Sequence, residues 1–294
     1  GNPGINVLAK VADTENTPEA IATWAKDNNI DFPENEARFL IEDILSLNPT
    51  DFYFEYDEKV TDEDISRVEA SVTRRLSGEP LQYITGSWDF YGRVFSVGRG
   101  VLIPRPETEI LCSEIISSLK DKNNPVIYDL CAGSGCIGLT LRCECRDADV
   151  YLLEKSKEAF IYLEKNAEVL CGNHGVTLLE GDVLDVELFS HLPDADVIVS
   201  NPPYIRSEEV PGLQKEVTFE PSMALDGGED GLVFYRYIIA QWSKKLKPDG
   251  IMAFEIGEEQ GEALKTLFSE SGFDSTVIKD YNNHDRIVKG KKAF

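Results

Sequence analysis

No uninterrupted apolar run in the sequence approaches the roughly 20 residues that span a bilayer, which excludes an apolar transmembrane helix. No basic-then-apolar opening marks a secretory leader. Cysteine is scarce, 6 in 294 residues, too few for a disulfide scaffold, so a reducing, cytoplasmic setting is expected. Basic residues are short as well: 29 Lys plus Arg face 53 Asp plus Glu, a formal net charge of −24. Affinity for polynucleotides comes mainly from Lys and Arg neutralising phosphates, so this balance disfavours direct DNA binding. Residues 1–70 hold 17 acids and 5 bases, 71–100 hold 2 and 4, and 101–294 hold 34 and 20. No segment is strongly basic. Ligand clusters for a metal are missing too. His174, His191 and His284 are scattered, and no Cys-x-x-Cys pair accompanies Cys131, Cys136 or Cys143-Glu144-Cys145. These cysteines read as small packing residues, and no metal is expected.

What remains is ordinary for a globular chain: 42% hydrophobic and 28% charged residues, long enough for two domains. The first 77 residues read as a helical unit. Thr17-Pro18-Glu19 caps one helix, and a second starts near Pro33 and carries Phe39, Leu40, Ile44 and Leu45. Thr61-Asp62-Glu63-Asp64 opens a third helix, through Ile65, Val68, Val72 and Leu76. Residues 78–104 turn aromatic and β-branched: Tyr83-Ile84-Thr85-Gly86 and Trp88 through Val97 predict a β-hairpin linker. From residue 105 to 294 a helix precedes alternating elements. The apolar runs 126–130, 150–153, 176–179, 197–200 and 251–256 alternate with helical stretches, the mark of βαβ units and a mostly parallel sheet. Two short terminal strands, 275–279 and 286–289, are expected to close the chain.

Two turns of this α/β region carry chemistry. Asp129-Leu130-Cys131-Ala132-Gly133-Ser134-Gly135 joins the first strand to its helix, where glycines let backbone N–H groups approach a ligand. A glycine-rich βα turn alone is common to many nucleotide-binding sheets, but two acids follow it in order. Glu154 ends the second strand, placed to accept from ribose hydroxyls, and Asp182 follows the third, placed to accept from an adenine amino group. The loop lacks the Gly-Lys-Ser/Thr end of a P-loop, which argues against a nucleoside triphosphate. After the fourth strand comes Ser200-Asn201-Pro202-Pro203-Tyr204. Consecutive prolines withdraw two backbone donors and leave carbonyls. The Asn201 side-chain oxygen and the Pro202 carbonyl can then accept both hydrogens of one planar NH₂ group. That grip aims the nitrogen at an electrophile and stabilises the positive charge developing on it, with Tyr204 offering a flat apolar face.

The glycine-rich loop, the two acids and Asn201-Pro202-Pro203-Tyr204 resemble class I S-adenosylmethionine-dependent methyltransferases acting on planar NH₂ nitrogens. Four further stretches narrow the resemblance: 78–86 (Gly-Glu-Pro-Leu-Gln-Tyr-Ile-Thr-Gly), Phe90-Tyr91-Gly92, 103–109 (Ile-Pro-Arg-Pro-Glu-Thr-Glu), and Phe219-Glu220-Pro221 with Gly228-Glu229-Asp230-Gly231-Leu232. Together they are similar to the PrmC/HemK family of peptide chain release factor glutamine methyltransferases, from about residue 15 to the end. The resemblance implies an α/β fold: a Rossmann-like, seven-stranded, mostly parallel sheet with an antiparallel final strand, behind a small all-α N-terminal domain. It implies methylation of the glutamine side-chain amide (N5) in the Gly-Gly-Gln motif of class I release factors. S-adenosyl-L-methionine would be the cofactor and S-adenosyl-L-homocysteine the product.

By the family pattern Asp129, Leu130, Cys131, Ala132, Gly133 and Gly135 line the cofactor, with Glu154, Asp182, Val183 and Asn201. Asn201, Pro202, Pro203 and Tyr204 hold the substrate amide, and Asn201, Pro202 and Tyr204 carry the catalysis. Arg105, Glu107 and Thr108 border the pocket, with Arg105 equally readable as a structural ion-pair partner. Two departures stand out: Cys131 replaces the first glycine of the usual Asp-Leu-Gly-x-Gly loop, and Glu154 stands where many members have Asp. An adenine-N6 nucleic-acid methyltransferase shares the Asn-Pro-Pro-Tyr turn but needs a basic groove.

Overall fold

A computed structural model describes residues 62–293 together with Glu36, Phe39, Leu40 and Asp43. The first expected helix, most of the second and the Thr61 cap lie outside the described residues. The chain packs as two compact units, Gly1–Gly86 and Ser87–Phe294. In the first, α1 (Asp62–Leu76) matches the third expected helix. At its end the Arg74 guanidinium donates to Glu79, at 2.8 Å from Nε to Oε2, and Glu79 is buried.

The expected hairpin is shorter than the aromatic run suggested. Residues Leu81–Thr85 form a short helix, α2, and not a strand. Pro80 pre-sets the backbone just before it, and Gly86, at φ 77°, accepts the left-handed turn that ends it while its N–H bonds to Gln82. Burial of Leu81 and Tyr83 outweighs the β preference of Tyr-Ile-Thr. The hairpin itself is β1 (Ser87–Phe90) and β2 (Arg93–Ser96), antiparallel and part of the second unit. Its turn residues Tyr91 and Gly92 both lie at positive φ, 51° and 73°, the handedness that suits a two-residue hairpin.

In the second unit α3 (Thr108–Ser118) precedes β3 (Val126–Leu130), α4 (Cys136–Glu144), β4 (Asp149–Glu154), α5 (Lys157–Cys171) and β5 (Val176–Glu180). Then come β6 (Ala195–Ser200), α6 (Val233–Gln241), β7 (Leu246–Glu255), α7 (Gly261–Glu270), β8 (Phe273–Lys279) and β9 (Asp285–Lys292). The seven-stranded sheet runs β5-β4-β3-β6-β7-β9-β8, and β9 is antiparallel to both its neighbours. The side-chain period of two sorts the strands between two faces. Ile127, Val197, Val199 and Ala253 pack with Leu111, Ile115 and Leu163 from α3 and α5. Tyr128, Leu130, Ile198 and Phe254 pack with Tyr235, Ile238 and Phe268 from α6 and α7. Helices on both faces explain why β6 is buried along its whole length. The connections from β3 lead one way to β4 and β5, while β6 and β7 lie on its other side. Such a reversal opens a crevice beyond the carboxyl ends of the strands, where ligands bind in open α/β sheets.

Candidate active site

A cavity occupies that crevice, lined from four strand ends. Cys131, Ala132, Gly133 and Ser134 follow β3, Glu154 ends β4 with Lys155 after it, Asp182 and Val183 follow β5, and Asn201 and Pro203 follow β6. Ile103, Pro104, Arg105 and Thr108 line it from the segment leading into α3, and Pro221, Met223 and Phe234 from the segments after β6. Of the residues singled out in the sequence, Asp129, Leu130, Gly135, Pro202, Tyr204 and Glu107 are not on its wall.

Pro202 is buried in the turn after β6, and the others have places of their own. Asp129 is fully buried under the loop, where its Oδ2 accepts from the Gly138 N–H at 2.8 Å, tying the loop to α4. A Cβ on Gly138 would meet Asp129 Oδ2 at 2.9 Å and Leu152 Cδ2 at 2.6 Å, so that approach requires glycine. Burial pushes the Asp129 carboxyl up to about 7, and its Oδ1 has no hydrogen-bond partner. Leu130 belongs to the core. Gly135, at φ 86°, caps α4 where a Cβ would strike Leu163 and Leu139. Glu107 precedes α3 and makes no capping bond.

The loop is strained where it departs from the family pattern. Cys131 holds φ 61°, a left-handed conformation that glycine adopts without penalty and a side chain does not. Its neighbours help to hold it: Ala132 N–H donates to Leu153 O at 2.9 Å, and Asn166, buried on α5, donates from Nδ2 to Ser134 O at 2.8 Å. Asn166 also exchanges two bonds with the Ser96 backbone, so one amide fastens β2 and the glycine-rich loop together.

Both acids are at the cavity with partners of their own. Glu154 accepts from Gly133 N–H at 2.9 Å and Ser156 N–H at 2.7 Å. Burial raises its carboxyl above the usual range, and these N–H groups, with that of Lys155, oppose the rise. Asp182 accepts from Leu184 N–H at 2.9 Å, and its other oxygen lies 3.1 Å from Lys155 Nζ. A carboxylate has about four lone-pair sites, so both acids keep acceptor capacity toward the cavity.

Arg105 satisfies both readings of it: it lines the cavity and pairs with buried Glu220. Burial works against its charge, but Glu220 outweighs it and raises the guanidinium pKa. Glu220 also accepts from Ile103 N–H at 2.8 Å, fixing the entry segment. Tyr204 points its hydroxyl at Glu255 Oε2, 3.4 Å away, and Glu255 in turn accepts from the Thr108 hydroxyl. Burial raises the Glu255 carboxyl, opposed by Thr108, Arg286 and Tyr204 and reinforced by Glu107. Sequence reasoning missed Asn166, Glu255 and Gln260. Each bonds to at least one residue 29 or more positions away, and no local pattern signals such a partner.

The sheet order, the glycine-rich loop and the acids at successive strand ends define a class I methyltransferase. Residues 108–236 match the family model described as methyltransferase small domain, and residues 22–86 match the PrmC N-terminal domain. The fold resembles a methyltransferase from Pyrococcus furiosus, with a TM-score of 0.52 at 17% identity, covering 78% of this chain and 100% of that one. A release factor glutamine methyltransferase of Thermodesulfovibrio yellowstonii is 38% identical over 273 residues, 90% of this chain and 95% of the relative. One from Geobacter sulfurreducens is 38% identical over 262 residues, 87% and 88% respectively. The chain belongs to the release factor glutamine methyltransferase family, the PrmC/HemK family. It is an S-adenosylmethionine-dependent methyltransferase.

The cavity fits that cofactor on its own chemistry. It offers acceptors at two successive strand ends, Glu154 at the end of β4 and Asp182 after β5, beside the backbone of the Cys131–Ser134 loop. Among the described residues no group of three or more His, Cys, Asp and Glu is placed to hold a metal ion, and no helix is long and apolar enough to cross a membrane.

Proposed function

We propose that the protein methylates the side-chain amide nitrogen of the glutamine in the Gly-Gly-Gln motif of class I peptide chain release factors. One observation carries this reading: in a chain of this family, Asn201 and Pro203 of the Asn-Pro-Pro-Tyr turn line the same cavity as Gly133, Glu154 and Asp182. S-adenosylmethionine supplies, when bound, the electrophilic methyl group of a sulfonium. Cys131 to Gly133, Glu154, Asp182 and Val183 hold it, with Asp129 supporting the loop from below. Asn201 Oδ1 and the Pro202 carbonyl take the two amide hydrogens, so the nitrogen lone pair is held in one direction. These acceptors carry partial negative charge and stabilise the cationic nitrogen as it forms; its surplus proton then leaves to water. Arg105 borders the entrance, where Glu220 fixes its guanidinium.

The N-terminal helical domain, residues 1–77, serves as the substrate-recognition domain, and its 17 acids against 7 bases suit a partner surface rich in Lys and Arg. Residues 78–104 lead from it to the catalytic domain, 105–294, and the hairpin within them packs as part of the second unit. A cytoplasmic location follows from a substrate of the translation machinery. The adenine-N6 alternative gains nothing from a chain of net charge −24.

Incubation with radiolabelled cofactor, a release factor, a short Gly-Gly-Gln peptide and duplex DNA tests the reading. Label is expected on the release factor glutamine, less on the peptide and none on DNA. Label on DNA alone overturns it. A second expectation concerns the cofactor: Asp182→Ala weakens S-adenosylmethionine binding by about 1–3 kcal/mol, because an adenine amino donor loses its acceptor. Titration calorimetry giving wild-type affinity would remove Asp182 from the site.

A further inference from the structure

The Asn-Pro-Pro-Tyr turn has a mechanical problem. Pro202 and Pro203 have no N–H, so two successive residues cannot be tied down by backbone donation. Upstream the turn is anchored by Ser200, whose hydroxyl bonds to Leu130 O, and downstream by Ile205 N–H, which donates to Leu225 O at 3.0 Å. Between these anchors the contacts converge on Tyr204.

Gln260, in the connection from β7 to α7, donates from Nε2 to Tyr204 O at 3.0 Å and to Gly231 O at 3.3 Å. Its Oε1 accepts from Gly257 N–H at 2.8 Å, which locks the amide's orientation. At the other end of Tyr204, the hydroxyl meets Glu255 at 3.4 Å. Glu255 is itself held: its carboxylate accepts from Thr108, and its main-chain carbonyl accepts from the Tyr235 hydroxyl at 2.6 Å. The glycines of the 227–231 loop close the remaining side. A Cβ on Gly227 would lie 2.7 Å from Tyr204 Cα, and one on Gly231 would lie 2.6 Å from Tyr204 O. Only a chain without side chains can pack there.

We propose that Gln260 and Glu255 are positioning residues that grip Tyr204 by its carbonyl and its hydroxyl and thereby set the aim of the acceptors at Asn201 and Pro202. The proposal rests on the methyl-transfer reading above, but the grip itself can be measured without any substrate. Neither residue is on the cavity wall. Their effect therefore falls on the geometry of the turn and leaves the cofactor's own contacts in place.

The test uses the full chain and four variants. Gln260→Met keeps length and removes all three hydrogen bonds, and Gln260→Glu keeps the Gly257 bond but sets an oxygen against two carbonyls. Both are expected to lower kcat on a release factor by about 10- to 100-fold, the scale of a small misplacement of reacting groups. KM and cofactor affinity should change little. Glu255→Gln, which retains an acceptor and a donor, should keep most of the turnover that Glu255→Ala loses.

Hydrogen exchange at the Tyr204 and Ile205 amides should accelerate in Gln260→Met at unchanged exchange of the β6 core. Wild-type turnover and exchange in Gln260→Met overturn the proposal. So does a loss of cofactor binding equal to the loss of turnover, which would mark a merely structural role. A wild-type protein that labels no release factor, with exchange accelerated as expected, would instead count against the substrate assignment and leave the grip standing.

Discussion

Asn201→Ala is expected to lower the turnover number on a release factor by about 10²–10³, the usual effect of removing one positioned polar group from a reacting centre. S-adenosylmethionine affinity should change far less. The substitution removes the side-chain acceptor and leaves Pro202 and Pro203 in place, so the turn keeps its path along the cavity. What is lost is one of the two acceptors that orient the amide nitrogen, and an amide free to rotate presents its lone pair to the methyl group only part of the time. Asn201→Asp is the informative companion. It keeps an acceptor but puts a negative charge beside a sulfonium, so it should bind the cofactor at least as well while turning over slowly. Single-turnover kinetics with a separate cofactor titration decides the matter. Turnover near wild type in Asn201→Ala would make the Asn-Pro-Pro-Tyr turn scaffold only.

The second large effect is on stability. Trp242 is among the largest fully buried side chains, 1% exposed at the end of α6. Its ring stacks on Phe189 at 5.7 Å between centroids and meets Tyr128 edge-on at 6.1 Å. Its Nε1 donates to Val183 O at 2.8 Å, and Val183 adjoins Asp182 on the cavity wall. Trp242→Ala should therefore cost about 3–5 kcal/mol, the range for emptying a large aromatic site in a core. It should also slacken the 181–184 loop, so cofactor affinity falls with stability. Trp242→Phe keeps most of the packing and leaves the Val183 carbonyl unpaired, which should cost about 1–3 kcal/mol. Urea unfolding compared with cofactor titration separates the two terms. An unfolding free energy unchanged in Trp242→Ala would contradict this packing.

The two predictions depend on different kinds of information. Asn201 was legible in the sequence because its chemistry lies in four consecutive residues. Two prolines force carbonyls to be the available polar groups, wherever the turn sits in space. Trp242 was not, because its partners Tyr128, Phe189 and Val183 are brought to it by strand order. The expected hairpin shows the limit from the other side. Tyr83-Ile84-Thr85 has β character in isolation, yet Pro80, Gly86 and the burial of Leu81 and Tyr83 make it helical.

By itself the sequence determined the periodic elements, the alternation of strands and helices, and the short motifs whose function comes from backbone chemistry within one turn. These are local properties, set by side-chain period, proline and glycine. Tertiary structure alone decided which of those motifs share a cavity and what holds them. The connections between strands bring Asn166 to Ser134, Glu220 to Arg105, and Gln260 with Glu255 to Tyr204. Such pairs carry no signal along the chain, because a hydrogen bond depends on distance in space and the 56 residues between Tyr204 and Gln260 leave that distance open until the sheet has formed.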